Sequence, residues 1–112
     1  MVIDFNHDNH TFNGTQNIKY FNNSPDELSK VFMHLYYNAF QPGSMMDVRS
    51  RTISDPDSRV MDRISKLKDN EIGFHRIINV KNKNGVKLNF FEDGTILEIN
   101  LDRPLKAGKA IE

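Results

Sequence analysis

The 112-residue chain contains no cysteine, which excludes a disulfide framework, a thiolate zinc site and a thiol nucleophile. Long apolar runs are also missing. The longest are a few residues, against the ~20 that a membrane-spanning helix needs. Charge of one sign is absent too: fifteen basic residues balance fifteen acidic ones. Without a basic excess there is no long-range field to attract phosphate backbones, so nucleic acid is not an expected partner. The opening Met1-Val2-Ile3-Asp4-Phe5 has neither the basic nor the apolar region of a secretion signal, and no compartment can be read from the sequence. No G-x-S-x-G elbow occurs. The glycine-containing fragments Gln41-Pro42-Gly43-Ser44 and Asn13-Gly14-Thr15 lack a phosphate-binding pattern and read as turns.

What is present fits one small domain, residues 1–112, without an internal repeat. Met1, Ile3 and Phe5 alternate with polar or small neighbours, and Ile18 and Tyr20 do the same further on. The turn-forming His7-Asp8-Asn9-His10 and Asn13-Gly14 lie between them, so an antiparallel hairpin of these two segments is expected. Residues 24–37 read two ways. Ser24-Pro25-Asp26-Glu27 offers a helix N-cap, with Leu28, Val31, Phe32, Leu35 and Tyr36 at helical spacing. Val31, Met33 and Leu35 also alternate with Phe32, His34 and Tyr36, as in a strand buried on both faces.

From Gln41 to Asp57 the composition predicts a long ordered excursion, then a short amphipathic helix at about Ser58 to Lys68 with an Asp62–Lys66 pair on its outer face. Beyond Gly73, Phe74, Ile77, Ile78 and Val80 predict a strand, and Asn84-Gly85 a tight hairpin into Val86, Leu88 and Phe90. A turn at Glu92-Asp93-Gly94 leads to a last long strand that Arg103-Pro104 should end. The tail resembles a turn entering another strand. The fold class is therefore mainly β and antiparallel, a sandwich or saddle-like sheet of about six or seven strands with one short helix.

Few constellations suggest chemistry. His7 and His10 have an H-x-x-H spacing, but zinc needs three or four converging ligands, and His34 and His75 sit inside apolar segments. Asp55, Asp57, Asp62, Arg49, Arg51, Arg59 and Arg63 crowd the middle of the chain with both signs. They could form arginine forks for a carboxylate ligand. Pinning of the long loop to its own helix or to a neighbouring domain is the stronger reading. Tyr36, Tyr37, Phe40 and Phe74 could anchor a protein or carbohydrate on a β-rich interaction module, although aromatics at strand spacing more commonly fill a core.

Certain strings are more specific: Asn22-Asn23-Ser24-Pro25-Asp26, then His34-Leu35-Tyr36-Tyr37-Asn38-Ala39-Phe40, then Gln41-Pro42-Gly43-Ser44-Met45-Met46-Asp47-Val48-Arg49-Ser50-Arg51. With Asp62-Arg63-Ile64-Ser65-Lys66-Leu67, Glu71-Ile72-Gly73-Phe74 and Gly94-Thr95-Ile96-Leu97-Glu98, they make nearly the whole chain resemble the first portion of the amino-terminal β domain of the aminopeptidase N family of zinc metallopeptidases, bacterial type. The resemblance implies a short turn at Ser24-Pro25-Asp26 followed by a strand over Ser29 to Tyr37. It also implies a scaffold packed beside a catalytic domain that holds the zinc. The family's His-Glu-x-x-His and Gly-x-Met-Glu-Asn motifs do not occur in this sequence, so no catalytic, cofactor-binding or metal residue is carried over. The expected partners are that catalytic domain and, through an unpaired sheet edge, a second copy of the chain.

Overall fold

The computed structural model describes residues 1–54 and 57–112. The chain is mainly β, with antiparallel sheets and one short α-helix, as its alternating patterns predict. Among the described residues, nine strands fall into four small sheets: β1 (Val2–Asn6) with β2 (Thr11–Thr15), β3 (Tyr20–Phe21) with β9 (Ala110–Ile111), β5 (Val80–Lys81) with β6 (Lys87–Leu88), and a three-stranded sheet in the order β4 (Leu28–His34), β8 (Ile96–Leu105), β7 (Phe90–Asp93).

The core lies on one face of the three-stranded sheet. Val31 stands opposite Ile99, which stands opposite Phe90; Met33, Leu97 and Glu92 form the next row. Val31, Leu35, Leu97 and Ile99 are buried, and Tyr20, Ile77, Val80, Leu88 and Leu101 pack around them half-buried. Outside this cluster only Ile64 and Leu105 are buried apolar residues among those described. β7 enters β8 through Gly94, whose φ of 55° at the first central position of the turn suits a residue without a Cβ.

Several expected elements lie elsewhere. The partner of β1 is Thr11–Thr15 rather than the segment around Ile18 and Tyr20. Asn6 Oδ1 accepts the N–H groups of Asp8 and Asn9 at 3.0 and 3.3 Å, and His10 adopts φ 56°, so the turn closes four residues after β1. Tyr20 and Phe21 pair instead with the tail. The helix expected over Ser58 to Lys68 is a run of turns with a 3₁₀ turn at Ile64–Lys66. Met61 at φ 43° breaks it, although the Asp62–Lys66 pair does form.

The α-helix, α1 (Met45–Thr52), falls within the expected irregular excursion. Ser44 caps it by accepting the Asp47 N–H at 3.2 Å, and Arg51 returns to Asp47 one turn on. Asp55 and Pro56 of that excursion lie outside the described residues. Phe74 to Asn79 is not a strand, because the His75 and Ile77 amides donate to Asn38 Oδ1 at 2.7 Å and Glu92 Oε1 at 3.0 Å instead of a ladder. The Ser29 to Tyr37 strand is shorter at its end: β4 stops at His34 and Tyr36–Phe40 form a 3₁₀ turn. β8 runs through Pro104, where a register shift opposite Leu28 and Lys30 accommodates a residue with no N–H to give.

Candidate docking surface

The buried polar side chains do structural work. Asn22, 1% exposed, donates from Nδ2 to the carbonyls of Asp26 (2.7 Å) and Leu105 (2.9 Å), while its Oδ1 accepts from the Ser24 N–H and hydroxyl at 3.0 and 2.7 Å. Its main chain pairs with Lys109 and Gly108. One residue thus ties the Ser-Pro-Asp turn to the end of β8 and to β9. Asn38 holds the Gly94 carbonyl with Nδ2 and the His75 amide with Oδ1, joining the 3₁₀ turn to the β7–β8 turn and to the 73–77 segment. Asp47, 1% exposed, accepts from the Gly43 N–H at 2.8 Å and from the Arg51 guanidinium at 3.0 and 3.2 Å. The Arg51 hydrogen bond first, then the Gly43 amide, hold its carboxyl below the ordinary value.

The mixed-charge region is a set of local pairs, not one patch. Arg59 grips Asp57 two residues away and draws the carboxyl down to about 2, Lys66 binds Asp62, and Arg51 binds Asp47. Asp55 is outside the described residues. Among the described residues, no three His, Asp or Glu side chains converge as metal ligands. His7 and His10 are exposed, their rings 6.1 Å apart, and His34 is also exposed. His75 is half-buried between Phe12 and Tyr37, with ring centroids at 5.7 and 5.6 Å. One cleft, lined by Lys19, Asn82, Lys83, Asp102, Arg103 and Glu112 among others, holds about 180 Å³, and an open groove along Arg103 to Lys106 and Lys109 to Ile111 holds about 330 Å³, at the lower end of the ~300–1,000 Å³ range of ligand pockets. Among the described residues no helix is long and apolar enough to cross a membrane.

The aromatics contradict the core assignment. Tyr36, Tyr37, Phe40 and Phe74 are 73, 53, 43 and 45% exposed. Tyr37 lies against Gly73 so closely that a Cβ there would sit 2.4 Å from its ring. The face of β4 that carries Val31 and Met33, continued by Leu35, is covered; the face that carries Lys30, Phe32 and His34 is exposed. On the other face Phe32 stands opposite Glu98, which stands opposite Phe91, and His34 opposite Ile96, which stands opposite Asp93. Phe32 is 60% and Phe91 63% exposed, the His34 and Tyr36 rings stack at 5.0 Å, and Lys30 binds Glu98 at 2.7 Å. The β1–β2 hairpin adds Ile3, Phe5 and Phe12 on one of its faces, all exposed.

The molecule is open as a whole. Its accessible surface is 9057 Å², whereas a compact monomer of 13.0 kDa exposes roughly 6,300 Å². Its radius of gyration is 17.4 Å, against roughly 13 Å for a compact domain of this length. The sequence already showed Phe32, His34 and Tyr36 as a second apolar face of one strand. What it did not show is that nothing in the described chain covers that face. No family model, curated protein or solved structure matches the chain.

Proposed function

We propose that the chain is a non-catalytic scaffold domain whose uncovered sheet face docks on another protein domain, and that this partner is the zinc-binding catalytic domain of an aminopeptidase. The observation that carries the docking is the outer face of the three-stranded sheet, where Phe32 of β4 and Phe91 of β7 stand exposed while only the opposite face is covered by the core. A second layer over those aromatics would come from beyond the described fold. Large exposed apolar patches of this kind mark protein contacts.

The choice of partner rests on the resemblance of the Asn-Asn-Ser-Pro-Asp and His-Leu-Tyr-x-Asn-Ala-Phe strings. Asn22, Ser24 and Asn38 of those strings are spent on fold-closing hydrogen bonds, which suits a scaffold role. The experiment is to read the frame beyond the Glu112 codon and to assay the purified chain on amino-acid arylamides. A downstream His-Glu-x-x-His domain and no turnover by the chain alone support the proposal. A stop codon in that place, or chelator-sensitive turnover by the chain itself, would overturn it.

A further inference from the structure

The three-stranded sheet has an open edge on β4. The Leu35 N–H donates to the Thr95 carbonyl at 2.7 Å, on the β8 side. Amides alternate along a strand, so those of Val31 and Met33 point the same way, and those of Lys30, Phe32 and His34 point away from β8. β8 agrees: the Asn100 N–H donates to Asn89 on the β7 side, leaving Leu97 and Ile99 to exchange bonds with Met33 and Val31. Among the described residues no strand pairs along the outer side of β4.

We infer that this edge pairs with β4 of a second copy, antiparallel and centred on Phe32, to make one continuous six-stranded sheet across a two-fold axis. The register follows from the three outward amides. With Phe32 opposite Phe32 of the second copy, Lys30 of each chain meets His34 of the other, and all three positions form hydrogen-bonded pairs. No lysine stands opposite a lysine in this register, and an aromatic pair occupies the axis. The usual guard of an edge strand, a free lysine, is disarmed, because Lys30 is held by Glu98 at 2.7 Å on the sheet face. The register shift between Leu28 and Lys30 confines the pairing to the stretch after it. The chain exposes roughly 2,700 Å² more than a compact monomer of its mass, well above the ~800 Å² each partner contributes to a standard interface.

The inference concerns the edge of β4 and stands apart from the docking of its face. It is tested in the purified chain, which has no cysteine to confuse a cross-link. In the inferred register the two Phe32 Cα atoms are about 5.5 Å apart, within disulfide reach, whereas the two His34 positions lie four residues out of register, roughly 13 Å apart. Under oxidised glutathione, Phe32→Cys is expected to give a covalent dimer roughly ten or more times faster than His34→Cys, and the unmodified chain to sediment as a concentration-dependent dimer. Equal cross-linking of the two variants, cross-linking of neither, or an unmodified chain that stays monomeric up to millimolar concentration would overturn it.

Discussion

At the scale of single residues, the fold is closed by three polar side chains, each from one of the strings that stand out in the sequence. Asn22 uses both ends of its amide on four groups, so truncation strands the Leu105 carbonyl and the Ser24 N–H, while the Asp26 carbonyl and the Ser24 hydroxyl keep each other. Asn22→Ala is expected to cost about 2–3 kcal/mol in urea unfolding, whereas exposed Asn23→Ala should stay within about 0.5 kcal/mol. Asp47 adds a pH signature. Its folded pKa is depressed, so its contribution is present above the ordinary carboxylate value near ~3.9 and is lost as pH falls through the lower folded value. The stability gap between the native chain and Asp47→Asn should therefore be constant near neutrality and narrow below that value, read by denaturant titration at a series of pH values. A gap that widened in acid would contradict the Arg51–Asp47 fork. These residues were visible in the sequence as unusual strings, but not their roles. An asparagine that caps a turn locally and one that also reaches a carbonyl 83 positions away look alike in one dimension.

At the scale of elements, β4 and β8 carry the core and their faces differ sharply in consequence. Leu97→Ala should cost about 2–4 kcal/mol by opening a cavity beside Val31 and Leu35, while Phe32→Ser at dilute concentration should change stability by no more than about 0.5 kcal/mol. If both substitutions proved equally costly, the outer face would be covered. Alternation was enough to read β1, the β7–β8 strands and the Asn84-Gly85 hairpin. It failed where side chains took over the backbone's hydrogen bonds, as at His75 and Ile77. It failed also where a cap decided the outcome: Ser44 and Asp47 build α1 in a stretch rich in turn residues, and Met61 in the left-handed region interrupts the helical spacing of Val60, Ile64 and Leu67. The tie over residues 28–37 was real, because the apolar residues on both sides of β4 satisfy either period until the partner strand is known.

At the scale of the whole molecule, the sheet assembly is thin and open, with its core on one side of the three-stranded sheet. Exposed Phe32, Phe91 and Tyr36 should bind a hydrophobic dye such as ANS in the folded chain, with the fluorescence reduced by Phe32→Ser together with Phe91→Ser; dye binding unchanged by that pair would place the apolar surface elsewhere. No catalytic or metal residue was expected from the sequence. The candidate surface was legible only as a doubly apolar strand, since whether a face is bare depends on what the rest of the chain leaves uncovered. The most direct test of the proposed docking is calorimetric titration of this chain into the zinc-binding catalytic domain that the proposal names as its partner, with the native chain and with Phe32→Asp plus Phe91→Asp. The account predicts binding with a negative heat-capacity change that the double substitution abolishes. No binding by the native chain, or binding that the substitutions leave intact, would contradict it.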